Sequence, residues 1–255
     1  MADRYAGIDI GSCTTKAVVI DAEGNITGSD VRRSGIDYSR AAREALESAL
    51  DGGGWDGMRI VSTGYGRKSI DFATDVKTEI ACHARGGYAY FPRAMTLIDI
   101  GGQDNKVIRL DAQGRRLDFK MNRKCAAGTG AFIEEIAARM DIPLGELDGL
   151  ARKAEKQVKI SSYCTVFAST EILGLIRQGV SVEELARGVF ESVVDRVMEM
   201  VSLPAFTVLS GGVVAHNPIV ADIFSERIKG EVAVPDLPQL TGAYGAALYA
   251  RDITK

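Results

Sequence analysis

Residues 8–24 read IDIGSCTTKAVVIDAEG, and residues 98–114 read IDIGGQDNKVIRLDAQG, a stretch of related sequence. The two stretches align without a gap, and the eight identical positions among the 17 are more than chance usually gives. Each copy reads as a buried strand, a tight glycine turn, a second strand and a second turn. We therefore predict that the chain contains a duplicated strand–turn–strand–turn–strand unit.

Outside the repeat, apolar runs alternate with stretches of helical spacing. Strands are predicted at 59–63, 206–210 and 231–234, and helices at 38–50, 78–90, 131–140, 144–153, 169–178, 182–202, 217–227 and 240–251. This alternation predicts an α/β fold of two related domains with a nucleotide cleft between them. The predicted boundaries are 1–92 for the first domain and 93–239 for the second. A C-terminal helix within 240–255 is expected to pack back on the first domain.

The composition limits the classes of function. The chain has 255 residues, of which 46% are hydrophobic and 25% charged, with a net charge of −3 and no prominent Lys/Arg cluster. A nucleic-acid partner is therefore not expected. No apolar run reaches the length of about 18 residues that a membrane helix needs. Because residues 1–5 lead directly into a strand, we expect no signal peptide and a cytoplasmic protein, in which four cysteines are more often ligands, catalytic thiols or core residues than disulfides.

The two repeated turns combine what a nucleotide polyphosphate requires. Backbone N–H groups and small residues bind phosphate oxygens, and a carboxylate binds Mg²⁺ or its waters. We assign Asp9 and Asp99 to the metal or to water positioning, and Gln103 to orienting the attacking water. The predicted phosphate-binding residues are Gly11, Ser12, Thr14, Thr15 and Lys16 in the first turn, and Gly101 and Gly102 in the second.

A third glycine turn follows the predicted strand at 206–210. Gly211, Gly212 and Val213 would let the backbone approach a flat base or a ribose, and Asn217 lies near the start of the next predicted helix. With the duplicated turns, this completes a predicted ATP/ADP site.

Two of the four cysteines precede stretches of helical spacing. Cys125 is followed by Gly128 and Gly130 and then by the predicted helix at 131–140, with Glu134 and Glu135 expected near its first turn. Cys164 leads into the helix predicted at 169–178. The positive end of a helix lowers the pKa of a thiol and suits a thiolate ligand. We therefore predict that these two cysteines carry redox chemistry, and that Cys13 and Cys82 are ordinary packing residues.

The motifs around these residues resemble those of a known family. The turns at Asp9-Ile10-Gly11-Ser12 and Asp99-Ile100-Gly101-Gly102, with Ser210-Gly211-Gly212-Val213, look like the phosphate and adenosine motifs of the actin/Hsp70/sugar-kinase ATPase superfamily. Lys124-Cys125-Ala126-Ala127-Gly128-Thr129-Gly130 and Ser162-Tyr163-Cys164-Thr165-Val166-Phe167-Ala168 resemble, more narrowly, activators of 2-hydroxyacyl-CoA dehydratases and the ATPase subunits of benzoyl-CoA reductase. The resemblance extends over essentially the whole chain.

The resemblance implies a homodimer with one [4Fe–4S] cluster on its two-fold axis, to which Cys125 and Cys164 of each subunit contribute thiolates. It implies an anaerobic setting, a dehydratase or related reductase component as electron acceptor, and ferredoxin or flavodoxin as donor. Two cysteines per chain cannot complete a four-thiolate cluster alone, whereas two copies of the chain can. A cluster made by all four cysteines of one chain is the competing model, and it would require Cys13 to leave the phosphate turn.

Two other functions stay open at this point. A small-molecule kinase would need a carboxylate aimed at a substrate hydroxyl, which no motif identifies. A metal-free, chaperone-like ATPase would need no cysteine ligands. Both alternatives leave the two cysteine motifs unexplained. Iron content separates electron transfer from both, and a phosphorylated product separates the kinase from the chaperone.

Overall fold

The computed structural model describes residues 4–122, 125–162, 164–200 and 205–253. The strands are Tyr5–Ile10 (β1), Thr14–Ile20 (β2), Ile26–Arg33 (β3), Arg59–Thr63 (β4), Asp75–Val76 (β5), Met95–Ile100 (β6), Asn105–Leu110 (β7), Arg116–Asn122 (β8), Phe206–Ser210 (β9) and Glu231–Ala233 (β10). The α-helices are Tyr38–Ala49 (α1), Glu79–Tyr90 (α2), Gly130–Arg139 (α3), Leu147–Ala151 (α4), Thr165–Arg177 (α5), Val182–Met198 (α6), Gly212–His216 (α7), Ile219–Arg227 (α8) and Thr241–Asp252 (α9).

The strands form two five-stranded sheets that have the same topology. The first has the order β3-β2-β1-β4-β5, and the second has the order β8-β7-β6-β9-β10. In the first sheet β1 pairs antiparallel with β2 and parallel with β4, and in the second β6 pairs parallel with β9. Each strand of the first sheet thus has its counterpart in the second. The predicted α/β fold with a duplicated unit is confirmed.

The chain divides into two compact units. Unit 1 consists of Met1–Ala94, Leu110–Leu117 and Gln239–Lys255, and unit 2 of Met95–Arg109 and Asp118–Pro238. The C-terminal helix α9 therefore belongs to the same unit as β1.

Unit 1 has helices on both faces of its sheet. Ala6, Ile8 and Ile10 of β1 pack with Leu46 of α1 on one face. On the other face α9 lies directly on β1. The two are so close that a Cβ at Gly7 would lie 2.1 Å from the carbonyl oxygen of Ala243. Only a glycine at this position allows so close an approach.

Unit 2 has the larger apolar core. Ile98 and Ile100 of β6 are fully buried together with Phe132 of α3, Phe190 of α6 and Phe224 of α8. Because this core holds α3 and α6 against the sheet that carries the second glycine turn, it provides a rigid base for the Cys125 segment.

Several predicted helices differ from those in the structure. The helix predicted at 217–227 is preceded by α7 and begins only after Pro218, which has no N–H to continue α7. The helix predicted at 144–153 is a 3₁₀ turn, Leu144–Glu146, followed by the short α4. The helix predicted at 169–178 begins earlier, at Thr165, and the one predicted at 182–202 ends at Met198, with 201 and 202 outside the described residues. Within the described ranges, no helix combines the length and apolar character that crossing a membrane requires.

Candidate functional site

Each unit holds one aspartate–lysine pair at its repeated turn. Asp9 on β1 lies opposite Lys16 on β2 in the strand register, with Lys16 Nζ 3.4 Å from Asp9 Oδ2. In unit 2, Lys106 Nζ lies 3.0 Å from Asp99 Oδ2 and 3.0 Å from Asp104 Oδ1. The side chain of Lys106 is 3% exposed, compared with 15% for Lys16. The second pair is therefore the more deeply buried, and its charges depend on each other more strongly.

The two glycine turns are closed in the same way. The N–H of Gly11 donates to the carbonyl of Thr14 over 3.0 Å, and the N–H of Gly101 donates to that of Asp104 over 2.9 Å. This closure leaves Ser12 exposed in the first turn, and leaves Gln103 exposed at the corresponding part of the second. The exposed part of each turn is where an anion can approach the backbone.

Thr15 is placed differently from its predicted role. Its side chain is fully buried, and its hydroxyl lies 2.9 Å from Ser34 Oγ, which donates in turn to the carbonyl of Gly11. The Thr15 hydroxyl therefore stabilises the turn through Ser34. A phosphate contact through the same buried hydroxyl does not fit this arrangement.

A second pair of equivalent glycines, Gly64 and Gly211, flanks the first strands of the two units. Each follows a parallel neighbour strand, β4 or β9, and each has a positive φ, +88° and +99°. A Cβ at Gly64 would lie 2.4 Å from Asp9 Oδ1, and one at Gly211 would lie 2.3 Å from the carbonyl oxygen of Ile100. We predicted the second of these glycines but not the first. The sequence Ser62-Thr63-Gly64, which parallels Leu209-Ser210-Gly211, would have identified it.

The third glycine turn is shorter than predicted, because α7 begins at Gly212 directly after Gly211. Val213 is buried, and Asn217 donates through Nδ2 to the carbonyl of Val213 over 2.9 Å. Asn217 thus satisfies a carbonyl of α7, which leaves its predicted nucleotide contact to the other side-chain atom.

Asp9 has an acceptor atom that fits a bound cation or its water. Asp9 is 4% exposed, and none of the described residues donates a hydrogen bond to its Oδ1. A buried carboxylate oxygen without a donor is costly unless something else interacts with it. Mg²⁺ typically takes one or two protein carboxylates and completes its shell with water and phosphate oxygens. Asp9 therefore fits the predicted metal role.

The Cys125 loop is held by asparagine side chains. Asn122 at the end of β8 donates through Nδ2 to the carbonyls of Cys125 and Ala127 over 3.2 and 3.3 Å. Asn105 at the start of β7 donates to the carbonyl of Gly128 over 2.7 Å. Cys125 itself is exposed and lies five residues before α3 begins, so the thiol is presented by an ordered loop rather than by the helix itself. Arg123 and Lys124 lie outside the described residues.

The first turn of α3 is bonded to the second glycine turn. Gly130 N–H donates to the carbonyl of Gly101 over 2.9 Å, and Ala131 N–H donates to that of Gly102 over 2.7 Å. These two donors are among those that a helix start leaves unsatisfied, and Thr129 makes no side-chain cap. Glu134 and Glu135, predicted near the first turn, lie just beyond it, and the first turn itself contains no acidic residue. The second glycine turn itself supplies the acceptors for this helix start.

Cys164 is the N-cap residue of α5 and is exposed. The segment before it is fixed by Glu171 of the same helix, whose two carboxylate oxygens accept the N–H groups of Ser161 and Ser162 over 2.9 Å each. Burial raises the pKa of Glu171, but these hydrogen bonds outweigh it and hold the pKa below its usual value. Tyr163, beside the cysteine, lies outside the described residues.

The Glu171 contacts predict a pH dependence for this segment. A carboxyl whose pKa is depressed in the folded state contributes stability that is present above its unfolded pKa and is lost as the pH falls through the folded value. We expect the N–H groups of Ser161 and Ser162 to stay protected from hydrogen exchange at neutral pH and to lose protection only below the ordinary Glu pKa of 4.5. Glu171→Gln should lower this protection at neutral pH, while Glu183→Gln, a partly exposed change in the first turn of α6, should not. Equal protection in wild type and Glu171→Gln would contradict the role given to the carboxylate.

The other two cysteines differ in their environment. Cys13 is exposed in the first glycine turn, and Cys82 is fully buried on α2. Burial raises the pKa of the Cys82 thiol to about 12. A thiol that ionises so poorly is a weak ligand, which disfavours a cluster made by all four cysteines of one chain. Within the described ranges, no three His, Cys, Asp or Glu side chains of one chain are grouped so that they could hold a metal ion.

The model of the BadF/BadG/BcrA/BcrD ATPase family matches residues 6–250. The chain is 40% identical over 254 residues to the 2-hydroxyisocaproyl-CoA dehydratase activator of Clostridioides difficile, covering 98% of this chain and 95% of that protein. It is 37% identical over 251 residues to the (R)-2-hydroxyglutaryl-CoA dehydratase activating ATPase of Acidaminococcus fermentans, covering 96% and 95%.

Solved structures give the same result for the fold. The activator of the 2-hydroxyisocaproyl-CoA dehydratase from Clostridium difficile with bound ADPNP superimposes with a TM-score of 0.91 at 38% identity, covering 98% of this chain and 94% of that one. A ROK-family glucokinase from Streptomyces griseus in complex with glucose and AMPPNP superimposes with a TM-score of 0.56 at 18% identity, covering 98% and 100%. At that identity the glucokinase shares only the fold, which is the actin/Hsp70/sugar-kinase type.

Proposed function

The chain belongs to the BadF/BadG/BcrA/BcrD ATPase family, and from this premise we propose that it is an ATP-dependent activator that delivers a low-potential electron to a partner enzyme. In this proposal two copies of the chain share one [4Fe–4S] cluster, and ATP binding and hydrolysis drive the transfer. The partner is a 2-hydroxyacyl-CoA dehydratase or a related iron–sulfur reductase, and the donor is a ferredoxin or a flavodoxin.

One observation carries the proposal. An exposed cysteine lies in a loop whose following helix is hydrogen-bonded to a predicted phosphate turn, through Gly130 to Gly101 and Ala131 to Gly102. Neither a kinase nor a metal-free chaperone requires a thiol in this position. The arrangement supplies what a nucleotide-controlled redox site requires, namely a ligand joined to a nucleotide contact by a short series of bonds.

The nucleotide side of the proposal assigns a task to each turn. The backbone of Gly11 and Ser12, and that of Gly101 and Gly102, binds phosphate oxygens, with Thr14 and Lys16 beside the first turn. Asp9 and Asp99 hold Mg²⁺ or its waters, and the exposed Gln103 orients the attacking water. Gly211, Gly212, Val213 and Asn217 lie at the base and ribose.

The cysteine side of the proposal requires a second copy of the chain. Cys125 and Cys164 are exposed thiols whose following helices, α3 and α5, pack against each other in unit 2. Helix α5 also exposes apolar side chains near Cys164, among them Val166 and Phe167 at 70% and 68%. A second subunit that covers this surface would bury the apolar area and bring in the two missing thiolates. When bound, such a cluster accepts and donates one electron at low potential.

The decisive test is iron and acid-labile sulfide in anaerobically purified protein. We expect about four irons per dimer, lost in Cys125→Ser and in Cys164→Ser and retained in Cys13→Ala. Sedimentation of the same samples should give a dimer for wild type. ATP-dependent electron delivery to a dehydratase component is the assay that follows.

Other outcomes would redirect the proposal. Iron near eight per dimer would indicate one cluster in each chain. An absence of iron after anaerobic reconstitution would overturn electron transfer. In that case a phosphorylated small molecule would identify a kinase, and ATP hydrolysis without such a product would favour the chaperone-like ATPase.

A further inference from the structure

Asn105 joins the second phosphate turn to the Cys125 loop. It is the first residue of β7, directly after the turn residue Asp104, and it is fully buried. Its Nδ2 donates to the carbonyl of Gly128 over 2.7 Å. Gly128 has a φ of +76°, and a Cβ there would lie 3.2 Å from this nitrogen and 2.9 Å from Arg196. The glycine conformation and the asparagine contact therefore depend on each other.

The duplicated unit shows which part of this arrangement is special to unit 2. Thr15 occupies the position in unit 1 that corresponds to Asn105, and its hydroxyl contacts Ser34, the residue directly after β3. Ser34 Oγ donates to the carbonyl of Gly11 over 2.7 Å, just as Gly130 N–H donates to the carbonyl of the equivalent Gly101. In both units, therefore, the chain that follows the third strand is hydrogen-bonded to the first glycine of the glycine turn.

The two units differ in the number of residues between the end of the third strand and this hydrogen bond. In unit 1 the chain returns at the residue after β3, whereas in unit 2 it returns at Gly128 and Gly130, after a loop that contains Cys125. The longer side chain of Asn105 reaches a backbone carbonyl within this loop, which the shorter Thr15 does not need to do. The closure that stabilises a turn in unit 1 therefore holds a cysteine loop in unit 2.

We propose that Asn105 is a positioning residue that transmits the state of the second phosphate turn to Cys125. This inference rests on the proposed function, because it assumes a nucleotide at the turn and a ligand role for the thiol. A shift of the turn moves Asp104 and the start of β7, and Asn105 passes that shift to Gly128 without a flexible segment between them. The two backbone bonds from α3 to Gly101 and Gly102 move with it.

The test uses the iron-free, reduced full-length protein, so that its result does not depend on a cluster. Cys125 begins the tryptic peptide 125–139, while Cys13 and Cys164 fall in the separate peptides 5–16 and 160–177, so mass spectrometry can follow alkylation of each thiol. The alkylation rate of Cys125 is measured with and without Mg²⁺ and ADPNP. In wild type we expect the nucleotide to change this rate about fivefold or more.

The variants separate transmission from simple loosening. Asn105→Ala and the similarly sized Asn105→Leu should bind ADPNP with nearly wild-type affinity but lose the nucleotide effect on Cys125. Asn122→Ala is the matched control, because Asn122 bonds only within the loop, to Cys125 and Ala127, among the contacts described. It should raise the rate in both states and keep the nucleotide effect.

Three outcomes would overturn the inference. These are an unchanged Cys125 rate in wild type with nucleotide, a full nucleotide effect in the Asn105 variants, and a loss of ADPNP binding in both of them. The last would make Asn105 a nucleotide-binding residue. A nucleotide effect on Cys125 in a protein that never binds iron would instead keep this inference and reject the electron-transfer proposal.

Discussion

Lys106→Met is expected to destabilise the protein by about 3–5 kcal/mol, because it leaves a buried carboxylate without its cation. Lys106 Nζ lies 3.0 Å from both Asp99 and Asp104, and its side chain is 3% exposed. Methionine fills a similar volume, so the loss is electrostatic rather than a cavity effect. Urea unfolding followed by circular dichroism measures the change. ATP hydrolysis should fall together with stability, since Asp99 loses its fixed orientation.

The duplication supplies the control for this prediction. Lys16→Met removes the equivalent lysine of unit 1, which is more exposed and lies 3.4 Å from Asp9. Asp9 is buried, but Lys16 itself is partly exposed and its contact is longer, so we expect a smaller loss than at Lys106, about 1–3 kcal/mol. In the double variant Asp99→Asn/Lys106→Met, stability should largely return while ATP hydrolysis stays low. Equal losses at Lys16 and Lys106 would contradict the difference in burial on which the prediction rests.

Asp9→Asn is expected to lower the rate of ATP hydrolysis by about 10²- to 10³-fold, the typical effect of removing one charge-stabilising group from a reaction site. Asparagine keeps the shape of the side chain beside Gly64, where a Cβ would lie only 2.4 Å from Asp9 Oδ1. The fold should therefore persist. Binding of ADP without Mg²⁺ should stay near the wild-type value, and the activation by Mg²⁺ should be lost.

Asp21→Asn is the matched control for Asp9. Asp21 is also identical in the repeat, but its Oδ1 accepts the N–H groups of Gly24 and Asn25, as Asp111 accepts those of Gln113 and Arg115. Its pKa is lowered, with the side-chain hydrogen bond from Asn25 as the largest cause. Because it forms a turn, its substitution should leave ATP hydrolysis unchanged. A loss of less than about threefold in Asp9→Asn would remove Asp9 from the proposed metal site.

The family resemblance and the duplicated α/β fold were predicted from the sequence and are confirmed. The repeat made this possible, because identical residues at a fixed offset of 90 report a shared backbone. Identity between the two copies could not show whether a repeated aspartate has a chemical role or forms a turn. Asp9 and Asp21 are equally repeated, and only the structure distinguishes a carboxylate oxygen without a donor from one that caps a turn.

Features that depend on contacts distant in sequence could not be predicted. Lys16 and Lys106 look alike as strand residues, and their difference arises from the burial that the surrounding chain imposes. The start of α3 was predicted one residue late, and its acceptors, Gly101 and Gly102, lie about 30 residues earlier in the chain. The role of Asn105 could not be predicted from the sequence, because its partner is a backbone carbonyl that only the fold brings near.

The close packing of α9 on β1 has a consequence for biosynthesis. Gly7 and Ala243, which meet where the helix lies on the strand, are 236 residues apart. Unit 1 therefore cannot complete its core until α9 has left the ribosome, whereas the residues of unit 2 emerge before it. We therefore expect unit 2 to complete its core before unit 1 during translation, while the face of β1 that α9 covers stays exposed.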